Sequence, residues 1–291
     1  MKPIFIILLS IISILVILYL VIGSFIGYDF IFLINLTSIK NIFNYFSYKI
    51  NIENEAVLPT INNKKYILVL RGHIRNSFEN NKLYNLIKSL TVSYNIDIYI
   101  HTWNIFASID SYRYIKENIN TVTSETIYNY FKDLSIYIKH IIIDDSKDVL
   151  FIGNIEGNVS KSRLKIKSWK CVWYAQHKIM KYIKDNTTNE SDIIINTRFD
   201  LLSMTNFIKP SQKSAVNFII KTLNNMENNV KTDNFFAETS FIGIDNIFIM
   251  KKNIMYNIFK EFYYNLDNIL INYPNESYIE FILYNTSLKF M

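Results

Sequence analysis

An open α/β fold, a mostly parallel sheet flanked by helices, is what the sequence predicts, and three apolar runs predict it. Lys65–Leu70, Ile96–Ile100 and Asp192–Ile195 are each of strand length, are separated by helix-like segments, and stop at polar residues. The stops are Arg71-Gly72-His73-Ile74-Arg75, His101-Thr102-Trp103 and Asn196-Thr197-Arg198-Phe199-Asp200. Strands joined by helical crossovers run parallel, so the three clusters are expected along one edge of the sheet, where open α/β folds place their ligand crevice.

The chain opens on Pro3–Ile26, which carries no charge and is rich in Ile, Leu, Val and Phe. At about 1.5 Å rise per residue such a run crosses a hydrocarbon core of about 30 Å, and it is longer than the apolar region of a cleaved signal peptide. It is expected to be a transmembrane signal-anchor, with Tyr28–Tyr48 as an aromatic juxtamembrane stem, so that residues 1–50 tether the rest to membrane lipid. Lys2 beside the amino terminus biases it toward the cytoplasm, a single-pass type II arrangement. Residues 51–64, polar and containing Pro59, Asn62 and Asn63, read as a linker, and residues 65–291 as one domain.

Within that domain the strand Tyr66–Leu70, the helix Glu79–Val92 and the strand Ile96–Ile100 form a βαβ unit, the helix showing Leu83, Leu86, Ile87 and Leu90 at helical spacing. A helix over Ser124–Leu134, capped by Ser124, and a strand over Ile136–Ile143 follow. In the helix Trp169–Lys184, one face takes Trp169, Val172, Trp173, Gln176, Ile179, Met180 and Ile183, while Lys170, His177, Lys178, Lys181 and Lys184 fall mostly elsewhere. After the strand Asp192–Ile195, strands are expected over Ala215–Ile220 and Ile247–Met250, and helices over Ile254–Leu266 and Glu276–Tyr284.

Composition bounds the function. With 50% hydrophobic residues, 21 Tyr and 21 Phe among 291, the chain has ample material for a packed core. The net charge of +6 suits an anionic ligand or a membrane surface, but no Lys/Arg block with interleaved aromatics occurs, so nucleic acid is not an expected partner. The single cysteine, Cys171, rules out an intramolecular disulfide and any CxxC metal site. Six N-x-S/T sequons, starting at Asn35, Asn158, Asn186, Asn189, Asn275 and Asn285, fit a luminal domain but are also what an Asn-rich chain produces by chance.

The strand ends carry the chemistry. Gly72 lets backbone approach a ligand, and Arg71 and Arg75 offer guanidiniums suited to phosphate oxygens; the alternative is a turn whose arginines face water. Neither GxGxxG nor a Walker loop is present, and with Gly72 alone the phosphate loop of a sulfotransferase is incomplete. Arg198 and Asp200, directly after an aliphatic strand, are too costly to bury uncompensated. Either Asp200 holds a divalent cation, Mn²⁺ or Mg²⁺, that neutralises a diphosphate, or the two form an internal ion pair fixing the loop. At the end of Ile96–Ile100, His101 and Trp103 are candidates for the wall of a sugar or base site, with a core role as the alternative. Asp245, before an apolar strand, is the candidate general base, and Glu238, Glu276 and Glu280 are further acids whose default is the surface. The basic stretch Lys161, Arg163, Lys165, Lys167 and Lys170 either attracts an anionic donor or is a solvated face.

Taken in order, these pieces resemble a family of glycosyltransferase-like proteins of capsule and surface-polysaccharide loci and large DNA viruses. Leu70–Arg75 is similar to its first-strand Gly-x-x-Arg turn, and Asp97–Trp103 to its segment ending in His-Thr-Trp. Trp173-Tyr174-Ala175 is similar to its Tyr-Ala helix, and Asp192–Leu201 to its strand ending in Arg-x-Asp-Leu. The resemblance implies a GT-A-like, Rossmann-like nucleotide-sugar fold with Asp200 as a metal- or donor-binding carboxylate, a nucleotide-sugar donor and a glycan or glycoprotein acceptor. The chain departs from the pattern where the family shows two adjacent acids, having Asp245-Asn246, and where it shows Pro-Glu, having Pro274-Asn275-Glu276. A domain that has lost transfer and only binds glycan or protein is the alternative expectation.

Overall fold

The structure is a computed structural model that describes residues 62–108, 117–189, 192–202, 219–225, 234–235 and 247–290. The expected membrane anchor and stem (1–50), most of the linker, Asp245 and Glu238 lie outside the described residues. Among the described residues no helix is long and apolar enough to cross a membrane.

The first βαβ unit forms as expected: β1 (Asn62–Arg71), α1 (Lys82–Ser93) and β2 (Tyr94–Trp103), with β1 and β2 parallel. A small antiparallel pair, β3 (Ile105–Ala107) and β4 (Asn118–Thr121), precedes α2 (Ser124–Phe131) and β5 (Ile138–Asp144). The long α3 (Ile166–Asn186) leads into β6 (Ile193–Arg198), and after the two-residue β7 (Asn234–Phe235) come β8 (Ile247–Lys251), α4 (Lys252–Ile271) and α5 (Ile279–Ser287). The main sheet has the order β5-β2-β1-β6-β8-β7. Its β5, β2, β1 and β6 are mutually parallel, whereas β8 is antiparallel to β6 and β7 to β8. The fold is thus mixed α/β, Rossmann-like and mostly parallel.

Alternation along β1 divides the core in two. Tyr66, Leu68 and Leu70 pack with Leu83, Leu86 and Leu90 of α1 and with Ile127 and Phe131 of α2. Ile67 and Val69 point to the opposite face, into Trp169, Trp173, Ile179 and Ile183 of α3 and Ile258, Phe259 and Phe262 of α4. Both faces of the central strands are covered, which is why they read as continuous apolar runs rather than alternating ones.

Three local expectations are corrected. Residues 219–225 are helical, so the described end of the expected strand Ala215–Ile220 is not a strand; Ile219 and Leu223, four apart, enter the core together. The cap of α2 is Thr123, not Ser124: its hydroxyl accepts from the Thr126 amide at 3.1 Å while the Thr126 hydroxyl accepts from the Thr123 amide at 3.3 Å. On α3, Lys170 and His177 are buried, because α4 wraps beyond the expected apolar stripe: Lys170 pairs with Asp267 at 2.7 Å and the His177 ring stacks on Tyr263 at 4.6 Å.

Candidate ligand-binding cleft

The strand order makes β1 and β6 neighbours whose connections leave in opposite directions, the switch point at which an open sheet leaves a crevice beyond its carboxyl ends. The register there is close: Arg71 of β1 lies opposite both His101 of β2 and Arg198 of β6. The three polar clusters separated in sequence therefore become one edge. Beyond it lies a cleft of ≈ 1100 Å³, counting solvent at its mouth, lined by Gly72, Arg75, Trp103, Arg198 and Asp200 of the predicted set, and by Arg71.

Backbone geometry builds the first wall. Gly72 has φ +87°, and a Cβ there would meet nothing within 4 Å, so glycine is required by conformation and not by space. Its amide donates to the His101 carbonyl at 3.1 Å and its carbonyl accepts from the Thr102 hydroxyl at 3.0 Å, stitching the turn to β2. Three residues on, Arg75 is itself left-handed at φ 55°, an unfavourable state for a side-chain-bearing residue, held by its amide donating to the Phe106 carbonyl at 2.7 Å. The turn delivers the Arg75 guanidinium to Asp200, with Nη1 donating to Oδ2.

Asp200 is 3% exposed and sits in a guanidinium vice. Arg198 donates through Nε to Oδ1 and through Nη2 to Oδ2, both at 2.8 Å, the forked geometry only arginine supplies, and Arg75 completes the cluster from the turn after β1. The ion-pair reading of Arg198 and Asp200 is what the structure contains. Arg71, 4% exposed, donates through Nε to Asn196 Oδ1 at 2.7 Å and lies 5.3 Å from the centre of the Phe248 ring. The same arrangement tests the expected cation. Both Asp200 oxygens accept from guanidiniums, and among the described residues no three His, Cys, Asp or Glu side chains converge, so these residues do not by themselves fit a divalent cation.

Trp103 forms part of the aromatic wall, stacked near Tyr174 with ring centres 6.2 Å apart and near His73 at 5.9 Å. His101 does not face the cleft. It is fully buried behind Trp103, edge-on at 5.4 Å, with Nε2 3.0 Å from Asp144 Oδ2. Burial pushes its pKa down against the pull of Asp144. Burial opposes ionisation of Asp144 too, but hydrogen bonds from His101 and from Lys178 Nζ, 2.7 and 2.9 Å away, hold its carboxyl well below the usual range. His101, Asp144 and Lys178 are thus a buttress for Trp103. The His73 imidazole, on the cleft wall, is pushed down to about 3 by burial and then by Arg75, and is neutral near pH 7.

Of the remaining expectations, Lys161, Arg163, Lys165 and Lys167 are exposed, the solvated-face reading, while Lys170 is buried in its pair with Asp267. Glu276 accepts from the Ser277 and Tyr278 amides at 2.8 Å, a turn contact ahead of α5. Asp144, not among the expected site residues, ends the third parallel strand, so its position at a strand end is the same sequence signal that marks the other clusters. Trp173 and Gln176, expected on the apolar face of their helix, line the cleft as well. Compared with family models, with curated proteins and with solved structures, the chain gave no match.

Proposed function

We propose that this chain is a membrane-anchored glycosyltransferase that moves a sugar from a nucleotide-diphosphate donor to a hydroxyl of a glycan or glycoprotein. The observation that carries the reading is the gathering of Arg71, Arg75 and Arg198 from the ends of two adjacent parallel strands into one cleft walled by Trp103. Guanidinium forks fixed in a partly buried site suit a diphosphate, and an aromatic face suits a sugar or base ring. In the reaction the acceptor oxygen bonds to the anomeric carbon as the carbon–oxygen bond to the diphosphate breaks. The nucleoside diphosphate leaves with the electron pair and the hydroxyl proton passes to a base, for which Asp245 is the candidate. Preorganised arginines stabilise the charge that develops on the leaving group; Asp200 holds two of them in place, and no step is routed through a cation. The apolar Pro3–Ile26 supplies the anchor.

A second reading, a glycan- or protein-binding domain without transfer, is favoured by one observation. Among the described residues Asp200 is the only carboxylate lining the cleft, and both its oxygens accept from guanidiniums. Calorimetry of the full-length chain in detergent with nucleoside-diphosphate sugars, with and without Mn²⁺, combined with an assay for nucleoside diphosphate release onto a glycan acceptor, separates the readings. Binding with release supports the transferase, and binding without release supports the second reading. No binding overturns the nucleotide-sugar proposal. Arg71→Lys, which keeps the charge but loses the planar guanidinium and its Nε hydrogen bond to Asn196, is expected to weaken donor binding about tenfold.

A further inference from the structure

A group of polar atoms on the inner wall of the cleft has no partner among the described residues. The side-chain amide nitrogen and oxygen of Gln176, the indole Nε1 of Trp173 and the imidazole Nε2 of His73 are buried without a hydrogen bond to any described residue, and all three residues line the cleft. Gln176 is 0% and Trp173 1% exposed, so bulk water does not meet their demand. Such atoms account for four of the nine orphaned buried side-chain atoms among the described residues, a concentration the rest of the core does not show. An unsatisfied buried polar group is destabilising by about 1–3 kcal/mol, so a folded chain that keeps several on one wall leaves them for something that arrives later.

Their chemistry restricts what arrives. Gln176 and Trp173 are one helical turn apart on α3 and present together one acceptor and two kinds of donor: the amide can be turned, but the indole N–H can only donate. We infer that this wall receives a neutral amide-type group of the ligand, one N–H to meet the Gln176 oxygen and carbonyl oxygen to accept from the Gln176 amide and the Trp173 indole. The inference rests on the nucleotide-sugar reading, within which two parts of a donor carry amide chemistry. The imide edge of uracil or thymine has an N–H between two carbonyls and can meet both Gln176 atoms at once. In the trans acetamido group of an N-acetylated sugar the N–H and carbonyl point apart, so that one meets Gln176 on one side or the carbonyl accepts from the Trp173 indole. Guanine presents an amino group beside its ring N–H and sets donor against donor at one position. The neutral His73 ring is in keeping with an uncharged partner. Cys171 and Val172, half-buried on the same helix, line the same cleft, and side-chain rotamer changes of the size needed to admit the group are common on binding.

The test is Gln176→Met in the full-length chain, a near-isosteric change that removes both polar atoms. Two results together support the inference. The ligand-free thermal midpoint holds or rises, by about 2–4 °C if about 1 kcal/mol of penalty is relieved. Affinity for uridine diphosphate N-acetylglucosamine falls about tenfold, while that for guanosine diphosphate glucose, measured in parallel, does not. An equal fall for uridine diphosphate glucose assigns the base, and a fall confined to the N-acetylated donor assigns the acetamido group. Unchanged affinity for all three donors, when the unsubstituted chain binds them, overturns this inference alone, the amide then meeting only internal water. A lowered midpoint also overturns it, because Gln176 is then part of the scaffold. An unsubstituted chain that binds none of the donors overturns the nucleotide-sugar reading, and this inference with it.

Discussion

Asp200→Asn is the substitution that tests the centre of the site most directly. The carboxylate is 3% exposed and takes three charged N–H donors, two from Arg198 at 2.8 Å and one from Arg75, whose side chains are 13% and 14% exposed. Asparagine keeps the volume but replaces one acceptor oxygen by a donor that faces a guanidinium and removes the charge both arginines meet. Breaking a buried pair is destabilising by about 3–5 kcal/mol; with two arginines slightly exposed, about 3 kcal/mol is expected. For a domain of this size that lowers the thermal midpoint by about 6–12 °C. Urea denaturation followed by fluorescence of Trp103, Trp169 and Trp173, all buried, reads the change directly. A loss below about 1 kcal/mol, the range of an exposed pair, would refute the argument that Asp200 organises the arginines. In the double-mutant cycle with Arg198→Gln the two losses should be far from additive, and additivity would likewise count against the vice.

Stability should fall as pH is lowered from about 6.5 toward 4. Burial holds His73 down to about 3 and His177 to about 4, and pushes His101 in the same direction, so the unfolded chain binds protons in this window that the folded chain refuses. His73 faces Arg75, Arg198, Asp200 and His101, and His73→Gln should flatten the pH slope of the unfolding free energy from urea denaturation, by up to about 1.4 kcal/mol per pH unit; an unaltered slope counts against an imidazole kept neutral by the fold. Gly153→Ala should destabilise by about 2 kcal/mol or more: at φ +71° its Cβ would lie 1.8 Å from Asp267 Oδ2, the carboxylate paired with Lys170. A thermal midpoint equal to that of the unsubstituted chain would show that the loop gives way freely.

The parallel strands were legible because burial on both faces leaves an unbroken apolar signal, as in Tyr66–Leu70 and Ile193–Ile195, and because polar residues can follow such a run only where it leaves the core. That reasoning alone put Gly72, Arg75, Trp103, Arg198 and Asp200 on one edge. It was silent on strand order and on which side chains share a neighbour. The sequence contains nothing local to say that β6 pairs with β1, and that pairing is what brings Arg75 to a carboxylate 125 residues away. Nor could periodicity separate two buried faces of α3: Gln176 and Trp173 lie on the apolar stripe, yet they also border a cleft, and His177 and Lys170 lie off the stripe, yet α4 buries them.

What the sequence by itself determined was the run of secondary structure through the parallel sheet and the polar residues at its strand ends, since both follow from local hydrophobic pattern and the cost of burying charge. What only the tertiary structure decided was who faces whom: Asp200 with two arginines, His101 with Asp144 behind Trp103, and the polar atoms of α3 beside the cleft. Those contacts join segments far apart in the chain, and their energies depend on distances of a few ångströms that the topology of the sheet sets.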